Sequence, residues 1–159
     1  MLNERDDRRT LGWREWVGFP ELGIKQIKAK VDTGARTSCL HAFRVEPFER
    51  DGTSWVSFDI HPIQGRVDKF VSCEAPLIGQ RSIRDSGGHE ELRCVIETVV
   101  TIGDERLVAE LTLTDRDTMK FRVLLGRTAI RGKYLVDSSG SYLCGKKKRT
   151  KKTPTPLTV

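Results

Sequence analysis

One carboxylate in this 159-residue chain is placed where acid–base chemistry could be done. It lies in Lys30-Val31-Asp32-Thr33-Gly34-Ala35-Arg36-Thr37-Ser38, where an apolar stretch runs into Asp-Thr-Gly. Gly34 permits a tight backbone, and its amide can donate to the Asp32 carboxylate. Thr33 supplies a hydroxyl able to hydrogen-bond across to a second copy of the loop. A carboxylate presented in this way is of the type that accepts or delivers a proton during hydrolysis. Asp-Thr-Gly alone is common in ordinary turns, so the surrounding residues decide its meaning.

About 90 residues later comes Phe121-Arg122-Val123-Leu124-Leu125-Gly126-Arg127, an apolar strand ending in Gly-Arg before a short helix. Other constellations are weaker. Val136-Asp137-Ser138-Ser139-Gly140 is a near miss for a second catalytic loop, and Asp137 reads better as a strand end or turn cap. Asp115 and Asp117 flank Arg116 as a structural ion-pair cluster would. His41, His61 and His89 are the only histidines, and no His-Glu-x-x-His occurs. A zinc site assembled from distant residues, such as His41 with Cys39, stays open as an alternative. There is no phosphate-binding Gly-x-x-x-x-Gly-Lys loop. Cys39, Cys73, Cys94 and Cys144 form no Cys-x-x-Cys pair, which argues against a zinc knuckle or a thioredoxin-type motif.

The elements that must hold these residues read as β-rich. Segments rich in β-branched and aromatic residues recur at Ile24 to Val31, Ser54 to Ile60, Arg66 to Val71, Arg93 to Ile102, Arg106 to Thr114 and Lys120 to Leu125. Gly103-Asp104 joins two of them as a Gly-first hairpin loop of the type II′ kind. Beyond it Leu107, Ala109, Leu111 and Leu113 alternate as one buried face. The best helical candidate is Gly126 to Arg131. Short strands with little helix predict a closed or partly closed β-barrel.

Composition narrows the class. The chain is large enough for one domain with a real core, no apolar run approaches the roughly 20 residues of a membrane span, and Met1 to Thr10 lacks the apolar stretch of a signal peptide. The expectation is a cytoplasmic protein with reduced, mostly buried thiols and no membrane contact. The formal charge of +6 comes from 28 Lys and Arg against 22 Asp and Glu. Lys146 to Lys152 holds six of the cations, so 28 less 6 leaves a neutral body of 22 against 22. We expect residues 1–10 to be a flexible N-terminus, 11–144 the folded domain, and 145–159 a disordered Lys-rich tail capable of weak, salt-sensitive RNA contact.

Asp-Thr-Gly-Ala early, a Gly-rich hairpin, and then aliphatic residues with Gly-Arg resemble the retropepsins, single-domain aspartic peptidases whose active site forms at a dimer interface. The resemblance narrows to the RimK-associated retropepsin-like family, also described as ATP-dependent zinc proteases. It rests on Gly12-Trp13-Arg14-Glu15-Trp16-Val17, the segment Ala29 to Ser38, Leu40-His41-Ala42, Arg81 through Ser86, Gly88-His89, Glu91, Arg93, Glu110 to Asp117 and Leu124 to Ala129. It covers roughly Leu11 to Leu143.

The resemblance implies an all-β, retropepsin-like closed barrel with a flap hairpin and one short helix. It implies catalysis by Asp32, Thr33 and Gly34, with Asp32 paired to its counterpart in a homodimer. Two such carboxylates share a proton: one acts as base on a water while the other polarises the carbonyl. Gln80 to Glu91 occupies the flap position. The substrate implied is a glutamate-tailed protein or peptide C-terminus made by a RimK-type ATP-grasp ligase, a ribosomal protein being one kind of target. Ala35, Arg36, Arg81, Arg84, Ser86, Gly88, His89, Arg93 and Arg127 are the substrate-contact candidates, the guanidinium groups suiting carboxylates. Arg36 and Arg127 read equally well as braces of the active-site loop. No cofactor is expected. The competing reading is a non-catalytic module that binds acidic tails or the ribosome.

Overall fold

The computed structural model describes residues 6–84, 87–116 and 120–145. Strand follows strand along the chain: β1 (Arg9–Leu11), β2 (Arg14–Phe19), a single 3-10 turn at Pro20–Leu22, β3 (Ile24–Val31), β4 (Ser38–His41), β5 (Phe43–Arg50) and β6 (Thr53–Ile60). Then come β7 (Val71–Arg84), β8 (Glu90–Ile102), β9 (Glu105–Thr114), β10 (Val123–Leu125), the one-turn helix α1 (Arg127–Ile130) and β11 (Tyr134–Val136). The fold is all-β, as expected.

The main sheet runs β2-β3-β10-β4-β9-β8-β7-β6-β5, and β2 also meets β8 at Gly18 and Thr101. That contact closes β2, β3, β10, β4, β9 and β8 into a ring, from which β7, β6 and β5 extend. Closure depends on Gly18. A Cβ there would stand 2.5 Å from the Thr101 hydroxyl oxygen and 2.7 Å from the Lys25 carbonyl oxygen, so any side chain would force the strands apart. Inside the ring lie Phe19, Ile27, Leu40, Ile96, Leu111 and Leu125, all fully buried. The alternation of Leu107, Ala109, Leu111 and Leu113 does place one face of β9 in this core. Each such aliphatic side chain contributes about 1.5–3 kcal/mol by leaving water.

The Gly103-Asp104 hairpin forms as the sequence predicts, with Ile102 opposite Glu105 and Gly103 at φ 57°. Two expectations need correction. Residues 66–70 are not a strand: Gly65 turns the chain at φ 78°, and Arg66 pairs with Asp68 two residues on. The strand begins only at Val71, and it runs on to Arg84 through Pro76 and Gly79 with a register shift between Leu77 and Gly79. The expected strand from Lys120 is confined to β10. The first and last strands meet in a separate parallel pair, β1 with β11. All four cysteines are free thiols. No helix of the described residues is long and apolar enough to cross a membrane.

Candidate active site

The Asp32 loop is assembled from opposite ends of the chain. β10 runs parallel to β3, pairing Leu125 with Val31, and antiparallel to β4, pairing Leu124 with Cys39. The strand that leads into Asp-Thr-Gly and the strand that leads away are thus tied through the later Leu-Leu-Gly-Arg segment. The Asp32 amide donates to the Leu125 carbonyl at 2.9 Å, and the Ala35 amide donates back to the Asp32 carbonyl at 3.2 Å. The Gly34 amide donates to Asp32 Oδ1 at 3.0 Å, the bond anticipated from the residue types.

Below the loop, Gly126 donates its amide to Ser38 Oγ at 3.0 Å. A Cβ on Gly126 would lie 2.6 Å from the carbonyl carbon of Thr37 and 2.9 Å from the Ser38 nitrogen. Backbone meets backbone here, so no side chain can yield. The amides of Arg127 and Thr128 donate to the carbonyls of Ala35 and Arg36 at 2.7 and 3.1 Å. Arg127 Nη1 reaches the carbonyls of Thr33 (3.0 Å) and Gly34 (3.2 Å). Its guanidinium therefore grips the loop from beneath. Asp32 is half-buried, while Thr33 and Gly34 stand exposed.

Asp137 ends β11 and caps a turn, accepting from the Ser139 amide (2.9 Å) and hydroxyl (2.6 Å). Those hydrogen bonds, the hydroxyl's first, hold its carboxyl below the usual range. Asp117 lies outside the described residues.

An open cleft of about 830 Å³ borders the loop at Gly34, Ala35 and Arg36 and reaches the β7–β8 hairpin. That hairpin occupies the flap position, its register running from Leu77 opposite Ile96 to Arg84 opposite Glu90, with Gly88 at φ 84° in the turn. Gly88 and His89 are exposed; Ser86 lies outside the described residues. Arg81, Arg84 and Arg93 all border the cleft, as does Arg116, which sequence reasoning left out of the substrate set. They are not equivalent. Arg93 is buried, donating through Nε to Glu91 (2.9 Å) and through Nη1 to Thr112 Oγ1 (3.4 Å) and Cys39 Sγ (3.6 Å). Glu91 in turn accepts from the Thr114 hydroxyl. Arg84 pairs with Glu90 across the hairpin at 2.8 Å, both side chains exposed. Arg36 is exposed and has no ion-pair partner among the described residues. Glu110, Thr112 and Thr114, three neighbours on β9, also line the cleft; only a sheet that lays β9 beside β8 brings them there.

The histidines are dispersed in role. His41 is fully buried and its Nδ1 accepts the Arg116 amide at 3.0 Å; His61 stacks on Phe43 at 4.3 Å and bonds the Lys69 carbonyl through Nδ1. Burial pushes the Cys39 thiol up, an effect that the Arg93 charge opposes. Among the described residues no three His, Cys, Asp or Glu side chains form a metal-ligating group.

The sequence profile of a family described as RimB-like, retropepsin-like aspartic endopeptidase RimB, matches residues 10–147. The chain belongs to this RimB-like family. Curated relatives include a probable alpha-L-glutamate ligase of Shewanella pealeana, 46% identical over 142 residues, and one of Desulfotalea psychrophila, 46% identical over 132. The matches cover 89% and 82% of this chain but only 31% and 28% of those proteins. The RimB-like chain thus spans under a third of the curated relatives' length. A solved structure of Legionella pneumophila, Lpg0085, a protein of unknown function, superposes with a TM-score of 0.72 at 23% identity, covering 86% of this chain and 98% of that one. It shares the fold.

Proposed function

We propose that this RimB-like chain is an aspartic peptidase that trims glutamate-tailed protein or peptide C-termini, using Asp32 from each of two chains. The observation that carries the reading is the braced loop: Asp32 held by Leu125, Gly34 and the Arg127 platform, with Thr33 and Gly34 open to a second copy. Two such loops face to face would bring two carboxylates onto one water. One carboxylate takes a proton as the water oxygen bonds to the scissile carbonyl carbon, and the other gives its proton to the carbonyl oxygen. Collapse of the tetrahedral species breaks the C–N bond: the proton first taken passes to the leaving nitrogen, and a hydroxyl of the diol returns its proton to the second carboxylate, leaving the acid product and the proton-sharing pair restored. The β7–β8 hairpin closes over the extended substrate and keeps bulk water out.

The acidic substrate is supported by the arginines that border the cleft, above all Arg36, which has no ion-pair partner among the described residues. The relatives named glutamate ligases support it further, since a chain resembling part of such a protein is suited to act on the ligase's product. A RimK-type ligase is then the pathway partner. The four free thiols suit the reducing cytoplasm. No cofactor enters this mechanism. The Lys-rich tail, a candidate for weak RNA contact, lies outside the described residues.

The test is mass spectrometry of a glutamate-tailed peptide incubated with wild type and Asp32→Asn, each with and without chelator. Loss of glutamates by wild type alone, indifferent to chelator, is the expected result. Binding without cleavage by both proteins would turn the reading into a non-catalytic module, and chelator sensitivity would revive the zinc alternative.

A further inference from the structure

Among the described residues, the five arginines that border the cleft are accompanied by one lining carboxylate, Glu110. It meets Arg81 Nη2 at 3.3 Å, with the two side chains 40% and 44% exposed. The register explains why it sits there. Arg81 stands opposite Arg93, so two like charges share one face of the β7–β8 ladder, and each needs a carboxylate. Arg93 has Glu91; Arg81 has Glu110. On the other side Glu110 lies opposite Glu97 across β8 and β9, a like-charge neighbour, so Arg81 is the favourable partner of the two.

The two pairs differ in how firmly they hold. The Arg93 side chain is 9% exposed and tied to Glu91, Thr112 and Cys39 together, so breaking it would leave a buried charge uncompensated. Arg81 and Glu110 share one long hydrogen bond in solvent, a pair of the kind that contributes about 0–1 kcal/mol. Another carboxylate could take Glu110's place at small cost.

We infer that Glu110 is an internal stand-in for a substrate carboxylate, occupying Arg81 in the free protein and yielding it when an acidic chain enters the cleft. This rests on the acidic-substrate reading above and deepens it. Arg81 becomes an exchangeable carboxylate subsite, Arg93 a fixed support beneath it, and Glu110 the residue that sets how strongly a substrate must compete. A single carboxylate or stray anion gains little by displacing Glu110. A run of glutamates, held at the same time by Arg36, displaces it readily.

The experiment is equilibrium binding, by fluorescence anisotropy, of a labelled peptide ending in four glutamates, with proteins that all carry Asp32→Asn so that the peptide is held without being trimmed: otherwise wild type, Glu110→Gln, Arg81→Ala and the double variant, each full-length. Glu110→Gln is expected to tighten binding by about two- to fivefold. That gain should vanish in the Arg81→Ala background, because the competition needs both partners. Equal or weaker binding by Glu110→Gln, with wild type binding normally and Arg36→Ala weakened, overturns the inference alone and makes the pair a flap brace. A gain that persists without Arg81 also overturns it, reducing the effect to general charge. If wild type fails to bind the peptide while its thermal melt shows it folded, the acidic-substrate reading falls and this inference with it. Glu110→Asp, one methylene shorter, guards against a folding defect in the Gln variant and should tighten binding in the same direction.

Discussion

Arg127 Nη1 lies 3.0 Å from the carbonyl oxygen of Thr33, a residue 94 positions earlier in the chain. The contact makes the arginine a platform for the Asp-Thr-Gly loop, with its own amide bonded to Ala35 and its side chain to Thr33 and Gly34. Both bonds leave the one nitrogen Nη1, and lysine, which keeps the charge, carries its more strongly hydrated ammonium one bond nearer the backbone, short of that position. Arg127→Lys is therefore expected to lower kcat about 10- to 100-fold through loop misplacement, with KM for the acidic peptide little changed. A rise in KM at constant kcat would instead make Arg127 a substrate contact. Steady-state kinetics separates the two.

Gly126→Ala should be the most disruptive small substitution at the site. Its Cβ meets the Thr37 backbone at 2.6 Å, so β10 and the loop must separate. We expect a loss of about 1–3 kcal/mol of stability, read as a lower urea midpoint, together with loss of cleavage.

The buried carboxylate of Glu15 joins the segment before β2 to the segment after β11. It accepts from the amides of Gly12 (2.6 Å), Leu143 (3.0 Å) and Cys144 (3.1 Å). Glu15→Gln would aim an amide NH2 at one of those donors. A stability loss of about 2–4 kcal/mol by denaturant titration is expected, larger than for any exposed glutamate.

Burial raises the thiols of Cys73 to about 12 and of Cys144 to about 11, from an ordinary 9.0. Glu15 near Cys144 and Asp59 near Cys73 act in the same direction. Above pH 9 the unfolded chain releases these protons while the folded chain keeps them, so stability is full below pH 9 and falls as pH rises towards 11 and 12. Denaturant midpoints at pH 7, 9 and 10.5 should show a flat first interval and a drop in the second. A thiol reagent at pH 8 should label these cysteines slowly until the protein is unfolded.

Much of the site was legible because its chemistry is local. Asp32 and Gly34 are two residues apart, and their hydrogen bond follows from a turn that residue types alone suggest. Gly103-Asp104 is legible for the same reason. What sequence could not supply is lateral order. Arg81, Arg93, Glu91, Glu110 and Thr112 come together through the register of β7, β8 and β9, and no spacing along the chain announces it. The strand expected at Arg66 to Val71 failed because β-branched content at Val67 and Val71 outweighed the turn signal of Gly65 and the local Arg66–Asp68 pair. The stretch between Val71 and Gln80 carries no strand expectation, since Pro76 and Gly79 interrupt its pattern. A register shift between Leu77 and Gly79 absorbs the irregularity instead.

The parallel pairing of β10 with β3 carries one more consequence. During synthesis Asp32 emerges about 90 residues ahead of its Leu125 acceptor, of Gly126, which bonds Ser38, and of the Arg127 platform. A nascent or truncated chain has the aspartate without the frame that aims it. Closure over so long an interval is also a slow folding event. Recovery of turnover on refolding should then lag behind recovery of β-sheet signal, making hydrolysis a reporter of β10 docking beside β3.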